Sequence, residues 1–249
     1  MKISLIVLEY QSLKEIKRFV DNISPFFLCV DFEIIVSSNS QYSQELQNTI
    51  CDETPNAKWK FNKLNGGFAY GMNEGLKIAS GEILIISNSD VKIESSLEPM
   101  ITYLMKHPEV GIIAPKIIDE GGIIQDSFRS FVTPFSFVRR QIGRIIHHNK
   151  LHVMNFNEPK KVDWLIGAFM MVRRDFYEKI GGLSEDYFMY CEDEDWCKRA
   201  HLAGYDVVYY PETVVEYKGT RASRRSWKYA KIHFQSLMTY WRKFGFFCG

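Results

Sequence analysis

Gly81-Glu82-Ile83-Leu84-Ile85-Ile86-Ser87-Asn88-Ser89-Asp90 is the stretch on which the reading of the fold turns. Four apolar residues in a row suit a central strand covered on both faces. The run then breaks into Asn88, Ser89 and Asp90. In an open α/β sheet, ligands bind just past the carboxyl ends of the strands. Asp90 is therefore a candidate to face a ligand, most simply a metal held through a carboxylate oxygen. Asn-Ser-Asp is also a turn sequence, with Asp90 able to cap a following helix. Taken alone, the stretch favours the turn.

Upstream, Ile3 to Leu8 is a short apolar run of the buried-strand type. Ser12-Leu13-Lys14-Glu15 matches a capping box, and Ile16, Phe19, Val20 and Ile23 continue it at helical spacing. Phe32 to Val36 reads as a second strand, 43–50 as a helix and 58–61 as a weaker strand. Phe68, Met72, Leu76 and Ala79 recur at helical spacing, with Gly71 and Gly75 on one face. Each glycine costs a helix interior about 1 kcal/mol relative to alanine, so something approaches this backbone closely. A ligand and tight helix-on-sheet packing explain that about equally. Asn65-Gly66-Gly67, just before the helix, would leave N–H groups free to meet an anion.

Downstream, Leu97, Met100, Ile101 and Leu104 mark a helix, and Val110 to Ala114 another strand. The β-α alternation with short connections predicts a mostly parallel sheet with helices on both faces. Beyond Pro115 the pattern changes. Ile117-Ile118 and Ile123-Ile124 flank Glu120-Gly121-Gly122 like a hairpin. Residues 130–160 mix aromatics with Arg139, Arg140, Arg144, His147 and His148, and suit a lid, an acceptor-binding insertion or a membrane-facing segment. A long apolar stretch over 162–172 precedes a short helix closed by Gly181-Gly182. Residues 206–210 and 213–217 read as two strands, and 223–244 as a closing basic and aromatic helix.

Composition bounds the function classes. The chain has 249 residues, 46% apolar and 24% charged, which suits a soluble globular α/β protein. A net charge of +1 offers no global field for nucleic acid. Five scattered cysteines without a CxxC pair argue against a disulfide framework and against a zinc site, and fit a reducing cytosol. The apolar start stops at Glu9, too soon for a signal peptide. No run approaches the roughly 18 apolar residues of a membrane span.

A second acidic cluster, Glu192-Asp193-Glu194-Asp195, opens a helical pattern. Acids in a first turn favour the helix dipole. Asp193, however, shares its face with Trp196, Cys197 and Ala200 by i, i+3, i+4, i+7 spacing. An unpaired charge on a buried face is costly, and a carboxylate placed there is a candidate general base.

Several stretches occur in an order that resembles the family 2 glycosyltransferases, inverting enzymes of the GT-A fold, and the rhamnosyltransferase-like members in particular. Residues 3–10 resemble the opening strand, 33–39 the strand whose end holds the nucleotide base, and 65–73 the asparagine-glycine-phenylalanine motif. Asn88-Ser89-Asp90 stands at the DxD-type motif, 164–168 at the acceptor-side segment and 188–195 at the Glu-Asp motif. The family has Asp where this chain has Ser38 and at the position of Asn88, and often a histidine where Glu216 or Tyr217 stands.

The resemblance implies a GT-A domain over 1–220: a mostly parallel central sheet flanked by helices, with a small antiparallel addition and a C-terminal helix. It implies transfer of a sugar, rhamnose among the candidates, from a nucleotide-diphosphate sugar to a glycan or lipid-linked acceptor in surface polysaccharide synthesis. Asp193 would be the base, Asp90 and Glu216 the ligands of Mg2+ or Mn2+. Leu8, Tyr10, Ser38, Asn65, Gly66, Gly67, Phe68, Asn73, Asn88 and Ser89 would lie on the donor side. Asp163, Trp164, Gly167 and Glu192 would lie on the acceptor side. Two other readings stand beside it: a degenerate, non-catalytic binding member, suggested by Ser38, Asn88 and Glu216, and a nucleotidyltransferase. The latter is disfavoured because Glu9-Tyr10-Gln11-Ser12 lacks the glycine-rich loop of that class. The expected place is the cytoplasm. For 221–249 the pattern leaves open packing on the domain, peripheral contact with the inner face of the membrane, and a homodimer surface.

Overall fold

A computed structural model describes residues 1–23, 31–139, 156–217, 219 and 226–246. The expectations for His147, His148 and Ser223 fall outside the described residues. Along the chain run β1 (Lys2–Glu9), α1 (Leu13–Ile23), β2 (Asp31–Ser38), α2 (Gln44–Glu53), β3 (Ala57–Phe61), α3 (Phe68–Ile78), β4 (Ile83–Ser87) and β5 (Val91–Ile93). Then come α4 (Glu98–Lys106), β6 (Val110–Ile118), β7 (Phe128–Arg129) and α5, described over 134–139. The rest comprises β8 (Lys160–Lys161), β9 (Trp164–Leu165), β10 (Phe169–Arg173), α6 (Arg174–Ile180), α7 (Glu192–Leu202), β11 (Asp206–Tyr217) and α8 (Trp227–Phe244).

Among the described residues nine strands form one sheet in the order β3-β2-β1-β4-β10-β6-β11-β5, with β8 on β11; β7 and β9 make a separate antiparallel pair. The β3-β2-β1-β4 half is parallel throughout. Strand period divides the core. Ile3, Leu5 and Val7 face α1 and α4, where Ile16, Phe19, Val20, Met100 and Leu104 are buried. Ile6 and Ile35 face α3, α7 and α8. Burial of each such side chain contributes about 1.5–3 kcal/mol.

The two helix glycines are explained by packing. A Cβ on Gly71 would sit 2.3 Å from Leu8 Cδ1, and one on Gly75 would sit 2.5 Å from Ile6 Cγ2. Helix α3 lies that close to β1, so the close approach is to the sheet and not to a ligand.

Four local expectations are corrected. The backbone N–H of Ser12 donates to Glu9 Oε1 at 2.8 Å, not to Glu15 as a capping box requires, because the buried Glu9 carboxylate lies nearer. Asp90 leads into strand β5, paired with β11, and caps no helix. The two strands expected over 206–217 are one, with an irregular register between Tyr210 and Val214 that absorbs Pro211. Finally, β10 enters the sheet antiparallel between β4 and β6. Alternating β-α units do not announce this reversal, because Phe169, Met170, Met171 and Val172 are buried like a parallel core strand.

That reversed strand positions the site. It begins where β4 ends, with Phe169 opposite Ser87. The loop before it therefore lies against Asn88, whose N–H donates to Ala168 O at 2.9 Å.

Helix α8 packs on the domain. Its Leu237, Tyr240 and Trp241 are buried, Ser236 Oγ donates to Met189 O at 2.8 Å, and Trp241 Nε1 donates to Val132 O at 2.6 Å. Trp227 and Phe234 stay exposed on its outer side. Among the described residues no helix is long and apolar enough to cross a membrane.

Candidate active site

The end of β4, the loop before β10, the start of α7 and the ends of β7 and β11 converge on a cleft of about 430 Å3. Asn88, Arg129, Gly167, Glu192, Asp193 and Tyr217 line it, with Phe68 and Tyr229 of α8 beside them.

The start of α7 is held in an unusual backbone. Tyr190 (φ 73) and Cys191 (φ 67) are both left-handed without being glycine, a state that costs of order 1–3 kcal/mol per residue and persists where the surroundings enforce it. This turn directs Glu192 and Asp193 into the cleft. Asp193 Oδ2 accepts from Gly167 N–H at 2.8 Å, and Oδ1 from Glu194 N–H at 2.9 Å. Burial raises the Asp193 pKa, while these two donors and the charge of Arg129 oppose the rise. Glu192 is 7% exposed, and its Oε2 has no hydrogen-bond partner. Burial, reinforced by the charge of Asp193, pushes its pKa up to about 8. One carboxyl is thus fixed by two N–H groups, and its neighbour is held mainly neutral at pH 7.

Helical periodicity misjudged this turn. Asp193 is only partly buried, whereas Glu194 and Asp195 are sealed inside. Glu194 Oε1 accepts from Val132 N–H at 2.6 Å. Asp195 meets Arg199 Nε at 2.6 Å, Lys243 Nζ at 2.8 Å and the Tyr187 hydroxyl at 3.0 Å. The first turn of α7 is enclosed by α8 and by 130–133, so no side of it is the solvent side.

Across the cleft, Asn88 Nδ2 donates to Tyr217 Oη at 3.1 Å. Burial and the charges of Asp90 and Asp193 raise the Tyr217 pKa to about 12. Asp90 is exposed at the rim, and no side chain among the described residues bonds to it. The mass of protein around Asp90 still raises its pKa, as does Glu15. Glu216, the other acid singled out as a metal ligand, has a partner of its own. It pairs with Lys92 at 2.6 Å and does not line the cleft; strand alternation turns Tyr217 inward in its place. Among the described residues no group of three or more His, Cys, Asp or Glu is arranged to hold a metal.

The remaining residues singled out in the sequence divide into those at the cleft and those beneath or away from it. Phe68 and Gly167 line it; Ser89 lies in the turn after β4. The N–H groups expected to be free near Gly66 and Gly67 are in part engaged. Gly67 N–H donates to Asn65 Oδ1 at 3.1 Å and Phe68 N–H to Phe188 O at 2.9 Å. Gly67 has φ +96, and a Cβ there would fall 2.1 Å from Phe188 O, so the glycine serves a backbone-to-backbone contact. Asn73 is tied to Leu183 and Glu185 and does not line the cleft. Leu8 packs against the core and Tyr10 is exposed. Ser38 is buried and donates to Glu9 Oε2. Asp163 Oδ2 accepts from Phe131 N–H at 3.3 Å, and the buried Trp164 donates to Ser130 O at 3.1 Å, so both brace the 130–131 segment.

Sequence reasoning passed over three residues. Glu9 is fully buried and gathers the hydroxyls of Ser38, Ser40 and Tyr42 and the N–H of Ser12. Its signal was an acid ending an apolar strand. Tyr217 was considered only as a stand-in for Glu216. Arg129 gave no signal, since its place depends on pairing with Trp164 across 34 intervening residues.

The sheet order, with one reversed strand at its centre and carboxylates at the ends of β4 and at the start of α7, is that of the GT-A fold. It is shared with the mannosyltransferase PcManGT from Pyrobaculum calidifontis, solved in complex with GDP-Man and Mn2+. The TM-score is 0.62 at 17% identity, over 96% of this chain and 64% of that one. The family model described as Glycosyl transferase family 2 matches residues 4–181, and the chain belongs to that family. A second model, described as the N-terminal domain of galactosyltransferase, matches 147–223. The chain is similar to the low-salt glycan biosynthesis hexosyltransferase Agl10 of Haloferax volcanii, 28% identical over 80% of this chain and 61% of that protein. It is similar also to the rhamnosyltransferase WbbL of Escherichia coli, 29% identical over 59% of this chain and 60% of that protein. It thus spans about three-fifths of the length of these relatives.

Proposed function

We propose that the protein transfers a sugar from a nucleotide-diphosphate donor to a hydroxyl of a glycan or lipid-linked acceptor, with inversion at the anomeric carbon. The observation that carries this reading is the fixed Asp193 carboxylate facing the same cleft as Asn88 and Tyr217, with Asp90 at the rim. Asp193 accepts the proton of the acceptor hydroxyl as that oxygen attacks. Its two backbone donors orient it, and Glu192, mostly protonated, lowers the negative charge beside it. Attack opposite the departing diphosphate gives inversion in a single displacement.

The residues at the rim fit a divalent cation carried in with the donor. Asp90 offers one hard carboxylate with no side-chain partner among the described residues, and Mg2+ is commonly held by one or two carboxylates plus substrate phosphates. Bound there, such a cation would neutralise charge on the leaving diphosphate. Asp90 would hold it, with Asn88 and Tyr217 bracing the strand end. Mg2+ and Mn2+ both suit this donor set.

The pairing of Glu216 with Lys92 and of Ser38 with Glu9 supports a second reading, a sugar-nucleotide-binding member without catalysis. Titration of nucleoside diphosphates with and without Mn2+, beside a donor-hydrolysis assay, separates the two. Metal-dependent binding with slow hydrolysis supports the enzyme; metal-independent binding without hydrolysis supports the binding protein.

Peripheral placement at the inner membrane face is part of the proposal. The outer side of α8 carries Trp227, Lys228, Lys231 and Phe234, and no acid occurs from 227 to 246. Because α8 is built into the core, point charge reversals such as Lys228→Glu with Lys231→Glu, and not truncation, are the variants for vesicle flotation.

A further inference from the structure

Arg129 lines the cleft beside Asp193 yet is bonded to neither Asp193 nor Glu192. Its Nε donates to Asp126 Oδ2 at 2.8 Å, and its guanidinium lies 5.5 Å from the centre of the Trp164 ring. The residue is thereby held at one edge and on one face. Its two terminal nitrogens have no hydrogen-bond partner among the described residues. A planar fork pre-oriented in this way, with its outer N–H groups unused, matches the geometry of a phosphate or carboxylate.

Arg129 and Asp193 both line the cleft, and Asp90 does not. Arg129 also stands opposite Trp164 in the β7-β9 pair, and β9 runs directly into Gly167, the donor to Asp193. The fork therefore opens into the cleft at the Asp193 end.

We infer that Arg129 binds an oxyanion carried by the acceptor, a phosphate or carboxylate near the attacking hydroxyl, and so selects negatively charged acceptors. This rests on the glycosyltransferase reading. A charge-assisted, bidentate contact in the same cleft as Asp193 positions the hydroxyl and rejects neutral sugars, which would leave the fork unpaired.

The test is calorimetric titration of the whole chain and of Arg129→Gln and Arg129→Lys. Three acceptor-side probes are used, geranyl diphosphate, glucose 1-phosphate and glucuronate, with a nucleoside diphosphate plus Mn2+ as the donor-side probe. The expected result is at least a tenfold loss of affinity in Arg129→Gln for one of the three acceptor-side probes. Arg129→Lys, which keeps charge but not the fork, should lose less, and nucleoside diphosphate affinity should change less than threefold. The probe most affected identifies the source: a lipid-linked diphosphate, a soluble sugar phosphate or an acidic sugar. The inference is overturned if all three are unaffected, or if the loss falls on the nucleoside diphosphate, which would put Arg129 on the donor side. Failure of the wild type to bind any nucleoside diphosphate would instead count against the glycosyltransferase reading, a distinct outcome.

Discussion

Gly167 donates its backbone N–H to Asp193 Oδ2 over 2.8 Å, and its neighbour Ala168 accepts through its carbonyl from Asn88 N–H over 2.9 Å. Two successive residues of one loop therefore tie the start of α7 to the end of β4. The spacing between the Asp193 carboxylate and the strand end that leads to Asp90 is thus bridged by this loop.

Asp193→Asn keeps the shape of the base and removes its ability to take a proton. Transfer should fall by about 10²–10⁴-fold, while nucleoside diphosphate binding stays within twofold of wild type. Transfer at the wild-type rate would remove Asp193 from the mechanism. The measurements are single-turnover transfer and calorimetric binding.

Asp90→Ala should abolish the gain in nucleoside diphosphate affinity that Mn2+ provides, and leave the affinity measured in EDTA unchanged. Glu216→Ala should preserve the metal effect, because Glu216 is engaged by Lys92. An Asp90→Ala protein that still responds to Mn2+ would contradict the assignment.

Glu192 has a folded-state pKa of about 8 against an ordinary value of 4.5. A raised carboxyl pKa means that the folded state binds the extra proton, so its contribution is fully present below about 4.5 and is lost as pH rises through about 8. Wild-type stability should decline across that window. Glu192→Gln should flatten the decline. Melting temperatures of the two proteins from pH 4.5 to 9 check this, and parallel curves would refute it.

Lys243 on α8 reaches the fully buried Asp195 at 2.8 Å. Removing it as Lys243→Ala leaves that carboxylate with Arg199 and Tyr187 only, and should cost about 1–3 kcal/mol in urea unfolding. Because Asp195 lies in the first turn of α7, transfer should also slow. Unchanged stability would mean that α8 is fastened by its apolar face alone.

The parallel half of the sheet was legible because local signals agree there. Predominantly apolar runs of four to six residues, helical spacing between them and short links all point to one answer. Asp90 and Asp193 stood out as acids at a strand end and at the head of a helix, but a turn and a helix dipole explain such acids locally, and helical spacing did not show that Glu194 and Asp195 are the more deeply buried pair. The Asn65-Gly66-Gly67-Phe68 motif was legible as a special backbone, and what requires the glycine at Gly67 is its close approach to Phe188 O, a partner 121 residues further along the chain.

By itself the sequence determined the α/β class, the family resemblance and the two carboxylate-bearing stretches, since these depend on neighbours within about ten residues. Only the tertiary structure decided that β10 runs backwards, that Tyr217 and not Glu216 lines the cleft, and that Arg129 shares that cleft with Asp193. Each of these depends on which face of a strand meets which partner far along the chain. A one-residue change of register reverses every such choice without altering local propensity. The opening stretch shows both halves: Ile83 to Ile86 announced a buried strand unaided, whereas the surroundings of Asn88 followed from the reversed strand, whose preceding loop brings Ala168 alongside.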